Sequence, residues 1–149
     1  MSLEPSREAR FPNLRRGSYR ISSPGTDEYN CLAWAAEDDA QWWEPSASVG
    51  HYWPPNVPLE GTVDGVALAY ESLGFERYEN REVEDGYVKV AIYAAPDGEV
   101  THAARQLDNG WWTSKLGEWQ DIAHADLQSL EGQYYGVVAL ILRRRRVTH

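Results

Sequence analysis

The chain has 149 residues, a net charge of −9 at neutral pH and a single cysteine. This length predicts one domain, residues 1–149, which is large enough to bury a core without cross-links. One cysteine excludes an internal disulfide bond and any metal site built from several thiolates. The acidic balance argues against nucleic acid as a partner, because binding to phosphates depends on basic side chains.

The hydropathy pattern argues against a membrane protein. No stretch approaches the roughly 18 apolar residues of a membrane-spanning helix, so we predict no membrane partner. The opening residues Met1-Ser2-Leu3-Glu4-Pro5 contain no apolar signal region. We take a cytoplasmic location as the default expectation, while export is also compatible with one cysteine. The composition gives no indication of the oligomeric state.

Two helices are predicted in the first half of the chain. Residues 1–28 are rich in Arg, Ser, Pro and Gly and show no sustained period, which predicts an irregular N-terminal arm. The first helix is expected from near Asp27 to about residue 37. A long loop of aromatic residues and prolines follows, from Gln41 to Pro58. Thr62 is a good N-cap for the second helix, which is expected to end near residue 73.

The second half of the chain reads as strands. Residues 87–94 and 99–107 are predicted strands, and the turn residues 108–110 predict a hairpin whose returning strand includes Lys115. A short helical turn is expected at residues 124–130 and a last strand at residues 135–142, before a basic tail at residues 143–149. This order predicts the α+β class, with N-terminal helices packed on an antiparallel sheet of about four or five strands.

Cys31 and His102 form a candidate catalytic pair. Cys31 is expected in the first turn of a helix, a position that lowers the pKa of a thiol. His102 is expected near the start of a strand, and a single cysteine with a histidine elsewhere in the chain is typical of a nucleophile and its base. In this mechanism His102 accepts the thiol proton and the thiolate attacks a carbonyl carbon.

The residue that would orient His102 depends on the hairpin register. A three-residue loop over 108–110 places Ser114 on the same face as His102, whereas a two-residue loop places Lys115 there. Asp121 is the alternative, because a carboxylate stabilises a charged imidazole ring. The sequence leaves Ser114 and Asp121 as equal candidates.

The order of these parts resembles papain-like cysteine peptidases, including the small bacterial cell-wall endopeptidases. In that fold the cysteine begins a helix, the histidine lies on a strand and a third polar residue lies on the neighbouring strand. The resemblance implies a papain-like arrangement here, with Cys31 as nucleophile and His102 as base. The chain also resembles an uncharacterised bacterial family through three short blocks, at residues 29–35, 101–106 and 112–117.

These observations predict a cysteine-dependent hydrolase or acyltransferase that acts on an amide or ester bond of a peptide-like or acyl substrate. The alternative is a non-catalytic papain-like binding module, in which the aromatic loop between Trp42 and Trp53 forms the partner surface. A zinc site is a third interpretation, since Cys31, His51, His102 and His124 are suitable ligand types. Their spacing lacks the short intervals of zinc motifs, so we predict no metal and no cofactor.

Overall fold

An antiparallel sheet of seven strands is the framework of the protein in the computed structural model, which describes residues 2–146. Its strand order is β1-β8-β7-β6-β5-β9-β4, and β2 and β3 form a separate parallel pair. In chain order the strands are β1 Tyr19–Ser23, β2 Trp42–Trp43, β3 His51–Tyr52, β4 Glu76–Tyr78, β5 Tyr87–Ala94, β6 Val100–Gln106, β7 Trp112–Lys115, β8 Asp121–His124 and β9 Val137–Arg145.

Helices are few and short. They are α1 Pro5–Glu8, α2 Cys31–Ala35, α3 Val63–Glu71 and a 3₁₀ turn at Gln128–Leu130. The expected fold class is therefore wrong, because the protein is mostly β, with 14% helix and seven strands in place of four or five. The expected papain-like arrangement, with N-terminal helices packed on a sheet of four or five strands, is wrong for the same reason. No helix among residues 2–146 is long and apolar enough to cross a membrane.

The N-terminal arm is more regular than its composition predicts. It contains α1, and its β1 strand pairs with β8 through Tyr19↔His124 and Ile21↔Ile122. This pairing makes His124 the last residue of a strand, and only Gln128–Leu130 form the helical turn expected at residues 124–130. The sequence does not predict β1, because β8, the strand with which it pairs, lies about a hundred residues away in the chain.

The arginine run beginning at residue 143 is part of the sheet. Arg143 and Arg145 lie in β9, where Arg145 pairs with Tyr87 of β5. Arg143 donates to Glu76 Oε1 at 2.8 Å, and its guanidinium lies 3.7 Å from the centre of the Tyr78 ring. The expected basic tail over 143–149 is thus corrected for its first three residues, while residues 147–149 lie outside the described part of the chain.

The sheet has a separate apolar cluster on each face. Along β5, Val90 and Ile92 pack with α2 and α3, whereas Ala91 and Tyr93 pack with the N-terminal arm. This alternation is what a strand buried on both faces requires. We call the first side the helix face and the second the arm face.

The aromatic loop contributes to the core on the helix face. Trp43 is 3% exposed and stacks on Tyr70 of α3 with 5.9 Å between ring centres. Tyr52 and Trp53 pack against the same indole. Trp43 is thus a core residue, whereas Tyr52 and Trp53 are partly buried against it and keep exposed surface.

Candidate functional site

Cys31 is the first residue of α2, and Asn30 fixes this start. The Asn30 backbone is extended, and its Oδ1 accepts a hydrogen bond from the Ala33 amide at 3.2 Å. Its Nδ2 donates to the Trp43 carbonyl at 2.7 Å, which ties the helix start to β2. The helix therefore begins at Cys31, four residues later than the Asp27 start that the sequence suggests.

The Cys31 thiol is protonated at neutral pH. Burial raises its pKa to about 11, and the nearby Glu44 carboxylate acts in the same direction. The nearby backbone of Ala103 and Leu32 opposes this rise in pKa. Desolvation outweighs this effect, so the thiol is a weak nucleophile in this conformation.

His102 lies on the opposite face of β6 from the residue that contacts Cys31. Ala103 belongs to the helix-face cluster against which Cys31 packs. His102 precedes Ala103 in β6, so its side chain lies on the other face of the sheet. There it stacks on Tyr135 with 4.1 Å between ring centres and contacts Tyr93 edge to face. Both of these tyrosines belong to the arm-face cluster. The structure therefore does not bring the candidate pair together.

Neither ring nitrogen of His102 has a hydrogen-bond partner within residues 2–146. The side chain is fully buried, and this burial, with a smaller contribution from His124, holds its pKa well below the ordinary value. His102 is consequently a neutral ring held by aromatic packing, without a group that orients it.

Ser114 orients a different histidine. The hairpin has the register of the three-residue loop, with the Leu107 amide bonded to the Trp111 carbonyl at 2.7 Å. Ser114 therefore shares a face with His102, but its Oγ lies 2.8 Å from Nε2 of His124. The Nδ1 atom of His124 lies 2.8 Å from the Asp126 carbonyl oxygen, which can only accept, so the Ser114 hydroxyl donates to Nε2. Ser114 and His124 are both fully buried, which seals this pair from solvent.

Asp121 is engaged on the helix face. Its Oδ2 accepts a hydrogen bond from the Tyr29 hydroxyl at 2.8 Å, and its Oδ1 accepts one from Ser23. Burial, followed by this contact with Asp121, raises the pKa of Tyr29 to about 12. Asp121 thus connects β8 to the segment before α2 and does not approach His102.

Lys115 is a residue whose role the sequence did not reveal. It is fully buried, and its ammonium group donates to the carbonyls of Thr26, at 2.8 Å, and Gly117. Burial lowers its pKa, and the charge of Asp121 acts against this. The lysine anchors the segment before α2. This role cannot be recognised from a local motif, because the Thr26 carbonyl lies far away in the sequence.

A pocket of about 220 Å³ opens beside Cys31. Glu44 and Glu99 line it, and no Lys, Arg or His is among its described lining residues. The Trp42 indole donates to Glu44 Oε1 at 3.1 Å and holds this carboxylate in place. Neither glutamate belongs to a recognisable motif, so only the fold reveals the acidic character of the pocket.

Metal binding finds no support in the described part of the chain. No group of three or more His, Cys, Asp or Glu side chains is placed there to hold a metal ion. His51 is exposed on β3 and His124 is buried against Ser114, so the four residues of the zinc interpretation do not form a ligand set.

Comparison with known proteins gives a family without an assigned activity. The model of a domain of unknown function, DUF7689, matches residues 20–143. No curated protein and no solved structure matches the chain.

Proposed function

We propose that this chain, which belongs to the DUF7689 family, is a non-catalytic binding module that takes a small cationic group in the pocket beside Cys31. The observation that carries the proposal is the pair of carboxylates, Glu44 and Glu99, on a pocket wall without a basic side chain. Two carboxylates around one small cavity favour a positive charge, since each attracts it by Coulomb interaction.

The size of the pocket and the state of the thiol support the same proposal. A volume of about 220 Å³ is below the range of drug-sized ligand sites, so it suits the end group of a larger molecule. A primary ammonium group is compact and offers three donors. The protonated Cys31 adds no negative charge and leaves the glutamates as the recognition groups.

A charge series of one probe tests this proposal. We expect n-butylammonium to shift the amide resonances around Cys31 and Gly61, and n-butanol and butyrate to leave them unchanged. Glu44→Gln and Glu99→Gln should each weaken binding about tenfold, which corresponds to about 1.4 kcal/mol. Glu79→Gln, at an exposed position outside the pocket, is the matched control. Equal responses to all three probes, or binding that survives both substitutions together, would overturn the proposal.

A cysteine-dependent hydrolase or acyltransferase is the second candidate. It is favoured by the packing of Cys31 against the cluster that contains Ala103, because the preceding residue in the chain, His102, is buried with two unpartnered nitrogens. Leaving a buried polar group without a partner costs about 1–3 kcal/mol, and such groups call for an explanation such as a catalytic role. In this candidate Cys31 attacks the substrate carbonyl, His102 takes the thiol proton and then gives it to the leaving group. It requires a rearrangement that brings His102 to the thiol, because Ser114 and Asp121 bond other partners in this structure.

Alkylation of Cys31 by iodoacetamide separates the two candidates. For the binding module we expect the rate to rise up to the pKa near 11 and to be unchanged in His102→Phe, which preserves the ring packing. The urea-unfolded chain provides the rate of an ordinary thiol. A thiol that reacts rapidly at pH 6, and loses this reactivity in His102→Phe, would instead establish the catalytic pair.

A further inference from the structure

A second pocket, of about 420 Å³, lies near the other end of α2. It is formed where β6 ends and the hairpin loop begins, beside Glu37, which follows the helix. Three arginines, Arg20, Arg105 and Arg146, line it together with Glu37 and Asp108. This surplus of positive charge stands out in a chain with a net charge of −9.

Arg105 lacks a carboxylate partner. Its Nη1 donates to the Trp34 carbonyl, and the guanidinium lies 5.1 Å from the centre of the Trp34 ring. No Asp or Glu within residues 2–146 forms an ion pair with it, although the half-buried Arg143 and Arg144 both have one. A partly buried charge without a partner is costly, and a guanidinium has five N–H donors to satisfy. The open cavity beside Arg105 is where a counter-ion would fit.

The acidic residues of the pocket compensate this positive charge only in part, although Glu37 lies near enough to act on Arg105. Asp108 pairs with Arg146 at 2.8 Å, but both side chains are well exposed, and such pairs contribute at most about 1 kcal/mol. Glu37 is shared with Arg144, at 3.9 Å, and is itself about half exposed. Arg20 is exposed and forms no ion pair among the described residues. An anion in the pocket would therefore meet Arg105 and Arg20 directly and compete with Asp108 for Arg146.

We infer that this pocket binds a small oxyanion, a carboxylate or phosphate group, with Arg105 as its anchor and Arg20 and Arg146 at its rim. Arginine suits this role because its planar fork matches two oxygens of either group. The site lies apart from the pocket beside Cys31 and involves none of its residues, so it does not depend on the proposed function.

Calorimetric titration with inorganic phosphate and with citrate, against chloride at equal ionic strength, tests the inference. We expect millimolar or tighter binding of at least one of the two anions. Binding of phosphate alone assigns a phosphate ligand, and binding of citrate alone assigns a carboxylate. If neither phosphate nor citrate binds at concentrations up to about 20 mM, the inference is overturned.

Substitutions locate the binding in the pocket. Arg105→Gln should weaken it at least tenfold and Arg20→Gln severalfold, whereas Asp108→Asn should strengthen it severalfold by releasing Arg146. Arg15→Gln, an exposed arginine outside the pocket, should change nothing. Arg20 and Asp108 are exposed, so these two variants decide the outcome even if Arg105→Gln fails to fold. Binding that none of the three substitutions changes would contradict the assignment.

Discussion

Cys31 shows how burial can outweigh the position of a residue in a helix. The start of a helix stabilises a negative charge by about 0.3–1 kcal/mol at exposed sites. Helix α2 has only five residues, and desolvation together with Glu44 raises the thiol pKa to about 11. The sequence places Cys31 in the first turn of a helix, but the burial that decides its reactivity comes from helix-face residues such as Val66 and Ala103, which are distant in the chain.

At the same scale, we predict that His124 makes the protein less stable in mild acid. Burial lowers the pKa of its imidazole from 6.5 to about 4. Below pH 6.5 the unfolded chain binds a proton at this residue, whereas the folded chain binds it only below about pH 4. The contribution of neutral His124 to the free energy of unfolding is therefore fully present above about pH 7 and is lost as the pH falls from 6.5 to about 4. The loss attributable to His124 is about 3 kcal/mol.

Urea unfolding at pH 7.5, 5.5 and 4.5 measures this loss. His124→Gln keeps a donor and an acceptor near Asp126 and Ser114 but cannot take up the proton. The free energy of unfolding of this variant should fall less steeply with acid than that of the parent protein. Parallel pH profiles for the two proteins would show that His124 is not the titrating group.

At the scale of elements, the two N-caps differ in what else they hold. Thr62 accepts one hydrogen bond, from the Gly65 amide at 3.2 Å. Asn30 accepts the equivalent bond from Ala33 and also bonds both the amide and the carbonyl of Trp43. Its side chain therefore joins two elements, whereas that of Thr62 serves α3 alone.

We expect Thr62→Ala to reduce the free energy of unfolding by about 1 kcal/mol, the usual contribution of an N-cap. Asn30→Ala should cost about 3 kcal/mol, because it also leaves buried backbone groups of Trp43 without partners. Urea titration followed by tryptophan fluorescence measures both losses. Asn30→Ser is the matched control, since it retains a capping oxygen and removes the amide group that donates to the Trp43 carbonyl. Equal losses for the two alanine variants would mean that the bonds to Trp43 contribute little.

The elements that the sequence predicts well are those with their own periodicity. Helix α3, strand β5 and the hairpin between β6 and β7 lie close to where pattern and turn residues place them. Strands β4 and β8 have three and four residues, too few for a recognisable alternation. β8 is also buried throughout and carries two polar side chains. Asp121 is bonded by Tyr29 and Ser23, and His124 by Ser114 and the Asp126 carbonyl, which makes their burial tolerable.

For the whole molecule, the candidate site depended on which face of the sheet α2 covers. Alternation along β6 shows that His102 and Ala103 face opposite ways. It does not show which of them faces α2. The face that α2 covers depends on its packing with Val90, Ile92 and Tyr70, which belong to elements far apart in the sequence. The sequence leaves two hairpin registers open, and the structure has that of the three-residue loop, with Gly110 in the left-handed position at a φ of 92°.

The last strand of the chain lies inside the sheet, so we predict that folding requires it. β9 pairs with β5 from Tyr87↔Arg145 to Ala94↔Val137 and is the only strand that pairs with β4 in the described residues. A variant that ends at Gly136 lacks the fully buried Leu142 and exposes one edge of β5. We expect it to show no cooperative thermal transition by circular dichroism. Glu76→Pro, which disturbs the start of the edge strand β4 and removes its ion pair with Arg143, should keep a cooperative transition at reduced stability. A cooperative transition in the truncated chain would show that β1 and β5 to β8 fold without β9.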